Sequence, residues 1–278
     1  MEIMNLKQYE AYSKVSYTPF NTGINIFDEK RAIGLDDFTV IAGSSGSCKS
    51  TVALYMVCSM AKAGSVVVFI NTENAGHVMQ QRIENLGFDF NRDFGAFDKN
   101  GTPRLIITTA TEIKFDQIVN MVQAYKPQAL FLDLFSALLD NTKSFDIPMV
   151  TRHYAKALAG FNEKYKCAVF VTEQLVKDSK RNYRPNLNDI QGGVALTQKA
   201  TKVILIYRYL KENLERLFVK DNIPNLVEMT TEIIVRKDRY SRIQENFYFV
   251  KLDMYGFSML NPLEFEDYSN FTFTGNKK

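Results

Sequence analysis

Between Phe38 and Val57 the chain passes from an apolar run, Phe38-Thr39-Val40-Ile41-Ala42, through Gly43-Ser44-Ser45-Gly46-Ser47-Cys48-Lys49-Ser50-Thr51 into Val52-Ala53-Leu54-Tyr55-Met56-Val57. That succession predicts a strand, a loop of small residues and a helix. Such a loop curls its backbone N–H groups around an anion, and the helix behind it points its positive end at the same charge. Lys49 would then reach the β- and γ-phosphates of a nucleotide, and the Ser50 hydroxyl would ligate Mg²⁺. One position departs from the pattern G-x-x-x-x-G-K-[ST]. Gly43, Lys49 and Ser50 hold their places, but Cys48 stands where the second glycine belongs. A Cβ there constrains φ and narrows the approach of backbone to phosphate, which Gly46 partly offsets. The competing reading is an ordinary Gly/Ser-rich turn ahead of a helix.

Two acids are spaced to complete this chemistry. Ser65 to Ile70 is a continuous apolar run, as expected of a strand buried on both faces of a parallel sheet, and it ends at Asn71-Thr72-Glu73. A carboxylate at the C-terminal edge of such a strand, beside the strand that feeds the loop, stands where a γ-phosphate would lie. Glu73 is therefore the expected group for polarising an attacking water. A helix-capping acid is the alternative, because a helical segment (Val78 to Leu86) follows. Ala129-Leu130-Phe131-Leu132-Asp133-Leu134-Phe135 is apolar up to one aspartate, in the manner of a Walker B strand. Asp133 there would hold Mg²⁺ through its water shell, with a strand-end cap as the alternative. A buried strand tolerates such a carboxylate only when a charged or polar group answers it.

A further strand, Cys167 to Thr172, ends in Glu173-Gln174, a polar pair placed to sense phosphate state and pass it to the next loop. That loop, Lys177 to Gly193, contains Lys180, Arg181, Tyr183, Arg184 and then Gln191-Gly192-Gly193. Basic residues interleaved with an aromatic and followed by paired glycines suit contact with a nucleic-acid backbone. On composition alone, a solvated charged loop is the better reading.

The elements that must position these groups follow from periodicity. Arg104 to Thr109, Lys202 to Tyr207 and Thr231 to Val235 read as strands, Phe115 to Tyr125 and 149–165 as helices, and Phe247 to Val250 as the hairpin partner of the strand at 231–235. Alternation of strands and helices predicts an α/β fold: a mostly parallel sheet flanked by helices, with a C-terminal β-hairpin. We expect a helical arm at 1–17 (Leu6, Tyr9, Tyr12 and Val15 in steps of three), one domain over 18–260, and a tail at 261–278.

Composition sets the outer bounds. With 278 residues, 46% hydrophobic and 23% charged, the chain has enough apolar material for a large buried core. The net charge of +3 identifies no partner. Three widely spaced cysteines fit reduced thiols, and two histidines make a zinc site improbable. No apolar run reaches transmembrane length and the start lacks a signal-peptide core, so a cytoplasmic protein without membrane contact is the expectation.

Taken in order, these residues resemble the RecA-like P-loop ATPase core, and above all the ATPase domain of DnaB-type replicative DNA helicases. Four features carry the resemblance: the lead-in Thr22-Gly23-Ile24 with Phe27-Asp28 and Gly34-Leu35; Glu73 followed nine residues on by Arg82; Arg184-Pro185-Asn186-Leu187-Asn188-Asp189-Ile190 with Ile206-Tyr207-Arg208; and Lys237-Asp238-Arg239, similar to a K-x-R pair that reaches a neighbour's γ-phosphate. The resemblance implies ATP and Mg²⁺ as cofactors, with residues 43–51 and Arg82 at the nucleotide, and Ser50 and Asp133 on the metal. It implies catalytic roles for Glu73 (base), Gln174 (sensor) and the trans-acting Lys237 and Arg239. It further implies single-stranded DNA held by Lys180, Arg181, Arg184, Gln191, Gly192 and Gly193, and a homo-oligomeric ring, expected to be a hexamer, since a finger supplied in trans requires head-to-tail contacts. Phage or plasmid replication is the expected setting. The resemblance does not extend to the N-terminal collar domain of full-length DnaB helicases, so a primase or loader contact through that collar is expected to be missing or supplied by another protein. Gln191-Gly192-Gly193 replace the usual Arg-Glu-Ser, and Gly192 to Leu196 instead resembles the second DNA loop of RecA recombinases. A UvsX- or RecA-like filament-forming recombinase or mediator is therefore the nearest alternative, and a nucleotide-binding relative with hydrolysis impaired by Cys48 is a third.

Overall fold

A computed structural model describes residues 17–95, 97–98, 100–140, 146–176, 185–208, 230–240, 247–253 and 256–259. Its strands are β1 (Phe38–Gly43), β2 (Val67–Asn71), β3 (Leu105–Thr109), β4 (Ala129–Asp133), β5 (Ala168–Gln174), β6 (Lys202–Arg208), β7 (Thr230–Asp238), β8 (Phe247–Asp253) and β9 (Gly256–Met259). All join one sheet in the order β3-β2-β4-β5-β1-β6-β7-β8-β9. Strands β3 through β6 in that order are parallel. Strands β7, β8 and β9 then turn back antiparallel, each on its predecessor.

Side chains alternate across a strand, so the apolar runs supply two cores. On one face Ile41, Phe69, Phe131, Phe170 and Ile204 pack beneath helices α1 (Asn25–Glu29), α2 (Lys49–Lys62), α3 (Gly76–Asn85) and α4 (Phe90–Phe94). On the other, Val40, Ile70, Leu132, Val171 and Leu205 meet α5 (Phe115–Tyr125), α6 (Ala137–Asp140), α7 (Ile147–Ala159), α8 (Phe161–Tyr165) and α9 (Gly193–Lys199). Phe131 and Phe170 stack across neighbouring strands with ring centroids 4.1 Å apart. No helix among the described residues is long and apolar enough to cross a membrane.

The mostly parallel, helix-flanked architecture and the hairpin at 247 agree with the sequence expectations. Four details differ. The helix expected over 149–165 is two helices, because Gly160 separates α7 from α8. Strand β4 stops at Asp133, and Leu134 and Phe135 leave it through a cis Asp133–Leu134 peptide bond. Strand β7 runs on past Val235, so Arg236, Lys237 and Asp238 belong to the sheet. Most consequentially, β2 does not lie beside β1; β4 and β5 separate them. The arm at 1–16, the basic run at 177–184, the stretch at 209–229 and the tail from 260 lie outside the described residues.

At the edge where β1 and β6 begin and β7 ends, a buried charge cluster fixes the register. Lys202 Nζ lies 2.7 Å from Asp238 Oδ1 and 3.4 Å from Asp37 Oδ1, with the lysine side chain 3% exposed. Asp37 also accepts from the Thr201 hydroxyl (2.8 Å) and the Gly34 N–H (2.9 Å). Removing one member of such a cluster leaves an unanswered buried charge. Lys202→Met should therefore lower unfolding free energy in urea by about 3–5 kcal/mol; a loss below about 1 kcal/mol would mean that the carboxylates find other partners.

Candidate nucleotide site

Strand β1 delivers the chain to Gly43, where there is no room for a side chain. A Cβ built there would overlap the Ser47 hydroxyl and come within 2.8 Å of the Ile206 carbonyl oxygen. The loop then turns through two left-handed residues, Gly46 (φ +76) and Cys48 (φ +71). Cys48 thus adopts the conformation that a glycine would supply, at a steric cost of roughly 1–2 kcal/mol for an L-residue. Its sulfur lies 3.6 Å from the Arg208 guanidinium, and the side chain packs at the margin of the first core. Helix α2 begins at Lys49, with Thr51 in its first turn.

This loop fits an anion. Ser47 N–H donates to the Ser44 carbonyl, but among the described residues the N–H groups of Ser45, Gly46 and Cys48 donate to no backbone carbonyl. Among the described residues the Ser47 hydroxyl is buried without a partner. Lys49 is 6% exposed and forms no ion pair among the described residues. Ser45 and Gly46 are exposed and Cys48 half-buried, so their N–H groups are open to a ligand; together with the buried Ser47 hydroxyl and Lys49 they match a bound phosphate chain.

The metal position fits equally. The Ser50 hydroxyl donates to Asp133 Oδ1 at 3.1 Å, joining the first turn of α2 to the end of β4 across the intervening β5. Thr172, at the end of β5, also bonds its hydroxyl to Asp133 Oδ1. From the other side, Thr72 N–H and its hydroxyl both donate to the Asp133 carbonyl (2.8 Å each), and the Leu134 N–H donates back to the Thr72 hydroxyl (3.0 Å). One carboxylate and one hydroxyl, completed by water and phosphate oxygens, suit Mg²⁺ better than a dedicated protein cage does.

Glu73 follows Thr72 directly, so the same network carries it to this edge of the sheet. It is exposed, on the rim of a 260 Å³ cleft lined by residues 71–75 and 109–111. Its N–H is held by Asn71 Oδ1 at 3.3 Å. Arg82 is half-buried in the last turn of α3, and no bond joins it to the loop at 43–51 among the described residues.

Glu173 and Gln174, expected as a pair, face opposite sides of β5. Gln174 lies level with Gly43, and its carbonyl accepts from the Gln191 N–H (2.8 Å), tying the end of β5 to the glycine turn. Glu173 turns the other way, is 1% exposed, and accepts from both the N–H and the hydroxyl of Ser136. Burial pushes its carboxyl up to about 7 despite these bonds and the Lys49 charge. Gly192 (φ +78) caps the N-terminus of α9 and Gly193 follows at φ +51, so both glycines meet a backbone demand whatever else they touch. Lys180, Arg181 and Arg184 lie outside the described residues.

Lys237 and Arg239 stand at the opposite edge. Lys237 pairs with Val203 at the start of β6, beside a bulge in which Arg236 is the extra residue. The Arg239 N–H donates to the Thr201 carbonyl, and the Thr201 N–H to Phe38 at the start of β1. Five strand steps, roughly 16 Å, separate that level from Gly43. Lys237 Nζ donates to the Thr197 carbonyl (2.7 Å) and Arg239 to the Gln198 carbonyl (3.0 Å), so both cations cap the C-terminus of α9. Burial and the neighbouring Arg239 lower the Lys237 pKa.

Every loop residue is legible from the motif, whereas Thr72, Thr172 and Ser136, whose hydroxyls bond Asp133 and Glu173, are not. Threonine at the end of each apolar run was the available signal.

Two outcomes follow. Cys48→Gly should raise unfolding free energy by about 1 kcal/mol through relief of the left-handed Cβ; an unchanged or lower value would mean that the contact with Arg208 outweighs the strain. In the folded chain Glu173 keeps its proton between pH 4.5 and about 7, whereas unfolded it is ionised there. The fold binds the extra proton, so stability falls as pH rises through that window, by about 3 kcal/mol in total. Urea titrations at intervals from pH 4.5 to 8 should show this fall in the wild-type chain and its absence in Glu173→Gln.

No curated protein matches the chain in sequence. Among solved structures, a DnaB-like replicative helicase studied with its interactions with primase is similar over 94% of this chain and 68% of its own (16% identity, TM-score 0.71). An ATPase domain is similar over 92% and 97% (16%, 0.69), and a KaiC-like protein from Pyrococcus horikoshii OT3 over 88% and 100% (18%, 0.64). At these identities the likeness establishes the fold, a RecA-like P-loop ATPase fold of the kind found in DnaB-type helicases. The AAA domain profile matches residues 30–180, more than half of the sequence and the segment holding the loop, both acids and β5, and the chain accordingly belongs to the AAA domain family.

Proposed function

We propose that the chain is an ATP-dependent motor on single-stranded DNA, a DnaB-like helicase of DNA replication that acts as a homo-oligomeric ring, expected to be a hexamer. The observation that carries this reading is the Ser50–Asp133 bond beside an open-donor loop and a buried lysine. Bound ATP and Mg²⁺ would supply the phosphoanhydride and the metal charge that offsets its negative oxygens. Around them, residues 43–51 orient the phosphates, Lys49 neutralises them, and Ser50 with Asp133 holds the metal. Glu73 takes up the proton of the attacking water, and Arg82 lies at the nucleotide. Gln174 senses the terminal phosphate and, through Gln191, passes its state to the glycine turn.

Lys237 and Arg239 serve the neighbouring subunit. Roughly 16 Å of strand separates them from their own loop, so a head-to-tail second copy is required to bring them to a phosphate. The DNA contacts fall to Lys180, Arg181, Arg184 and the turn at Gln191, Gly192 and Gly193. A primase or loader is the proposed partner, in line with the helicase whose structure was studied with primase.

Phosphate release measured with and without single-stranded DNA tests the reading. Lys49→Ala should reduce turnover at least about 10²-fold. Arg239→Ala should keep nucleotide binding yet lose about 10³-fold of DNA-stimulated hydrolysis, and mixing it with wild type should alter activity in proportion to subunit contacts. Substantial turnover by Lys49→Ala, or full activity in Arg239→Ala, would overturn the proposal. Open filaments with ATP and DNA, instead of closed rings, would favour the recombinase alternative.

A further inference from the structure

Glu173 belongs to none of the roles above, yet it is buried at the middle of the site. It lies level with Ala42 of β1, between Thr172, whose hydroxyl reaches Asp133, and Gln174, which lies level with Gly43. Successive strand residues point to opposite faces, so Glu173 turns from the α2 side toward the segment that leaves β4. There its carboxyl takes both the N–H and the hydroxyl of Ser136, while Oε1 accepts from the Gln174 N–H at 2.8 Å. The Phe135 N–H donates to the Thr172 carbonyl at 3.0 Å. Residues 134–136, the continuation of Asp133, are thereby fastened to the end of β5. Burying a carboxyl is unfavourable even with such bonds, and a hydroxyl or amide would close a loop at less cost.

We propose that Glu173 is a positioning residue for the metal carboxylate: by holding Ser136 and the Gln174 N–H together, it sets where Asp133 stands relative to Ser50. The inference rests on the nucleotide-site reading given above. Groups that orient a metal ligand without touching the metal typically govern about 10–100-fold of metal affinity.

The test is binding of fluorescent N-methylanthraniloyl-ATP with and without Mg²⁺, using wild type, Glu173→Ala, Ser136→Ala, the double variant and Glu173→Gln. Glu173→Ala should keep its Mg²⁺-free affinity within about threefold and lose about tenfold or more of the strengthening by Mg²⁺. The double variant should be no weaker than Glu173→Ala, because the two residues act through one contact. Glu173→Gln, which keeps one acceptor oxygen, should fall between the two, and it carries the test should Glu173→Ala fail to fold. A wild-type Mg²⁺ response in both Glu173 variants, additive losses, or an equal loss without Mg²⁺ would overturn the inference while leaving the nucleotide site intact. Failure of the wild-type chain to bind the probe would instead overturn the nucleotide-site reading, and this inference with it.

Discussion

The hydroxyl of Ser50 meets the carboxylate of Asp133 across an intervening strand, and the rest of the site is arranged around that contact. Ser50 is in the first turn of a helix on one face of the sheet, whereas Asp133 ends a strand two places away from β1. A single strand, β5, lies between β4 and β1. Thr172 from β5 shares Oδ1 with Ser50, and Thr72, just past β2, takes the Asp133 backbone carbonyl, so one acid is bonded to elements on both sides. A carboxylate 1% exposed would otherwise be a liability. Here its hydrogen bonds make it a fixed point at which the ends of three strands converge.

The other edge of the sheet has its own fixed point. Lys202, between Asp37 and Asp238, ties together the beginnings of β1 and β6 and the end of β7. Just past it the bulge at Arg236 re-aims the strand, as bulges do, and Lys237 and Arg239 come to rest on the last carbonyls of α9. That helix starts at the glycine turn, and the turn is bonded through Gln191 to Gln174, which lies level with Gly43. A continuous bonded path therefore runs from the end of the sheet that carries the loop at 43–51 to the cations at its far end. Such continuity gives a two-site device its material connection, although coupling also requires an element with two arrangements.

Much of this was readable from residue order. The apolar runs at 66–70, 129–132 and 168–171 lack alternation because both faces are covered, and they emerge as central parallel strands. Gly43, Lys49 and Ser50 announced the loop because phosphate binding demands small residues and a cation at fixed spacing. Cys48 departs from the motif, and its positive φ shows why a glycine is the usual occupant. The helix at 115–125 was legible because its apolar residues recur at the helical period.

What the chain alone determined was local: which segments are strands or helices, where the loop lies, and which side chains carry suitable chemistry. These follow from steric and periodic preferences acting over a few residues. Strand order was decided only in three dimensions, and it put two strands, β4 and β5, between β2 and β1, because sheet neighbours are chosen by packing among all the strands. The same holds for the opposite facing of Glu173 and Gln174, for the bulge at Arg236, and for the seat of Lys237 and Arg239 on α9. Each depends on contacts between residues far apart in sequence, and no short-range pattern encodes them.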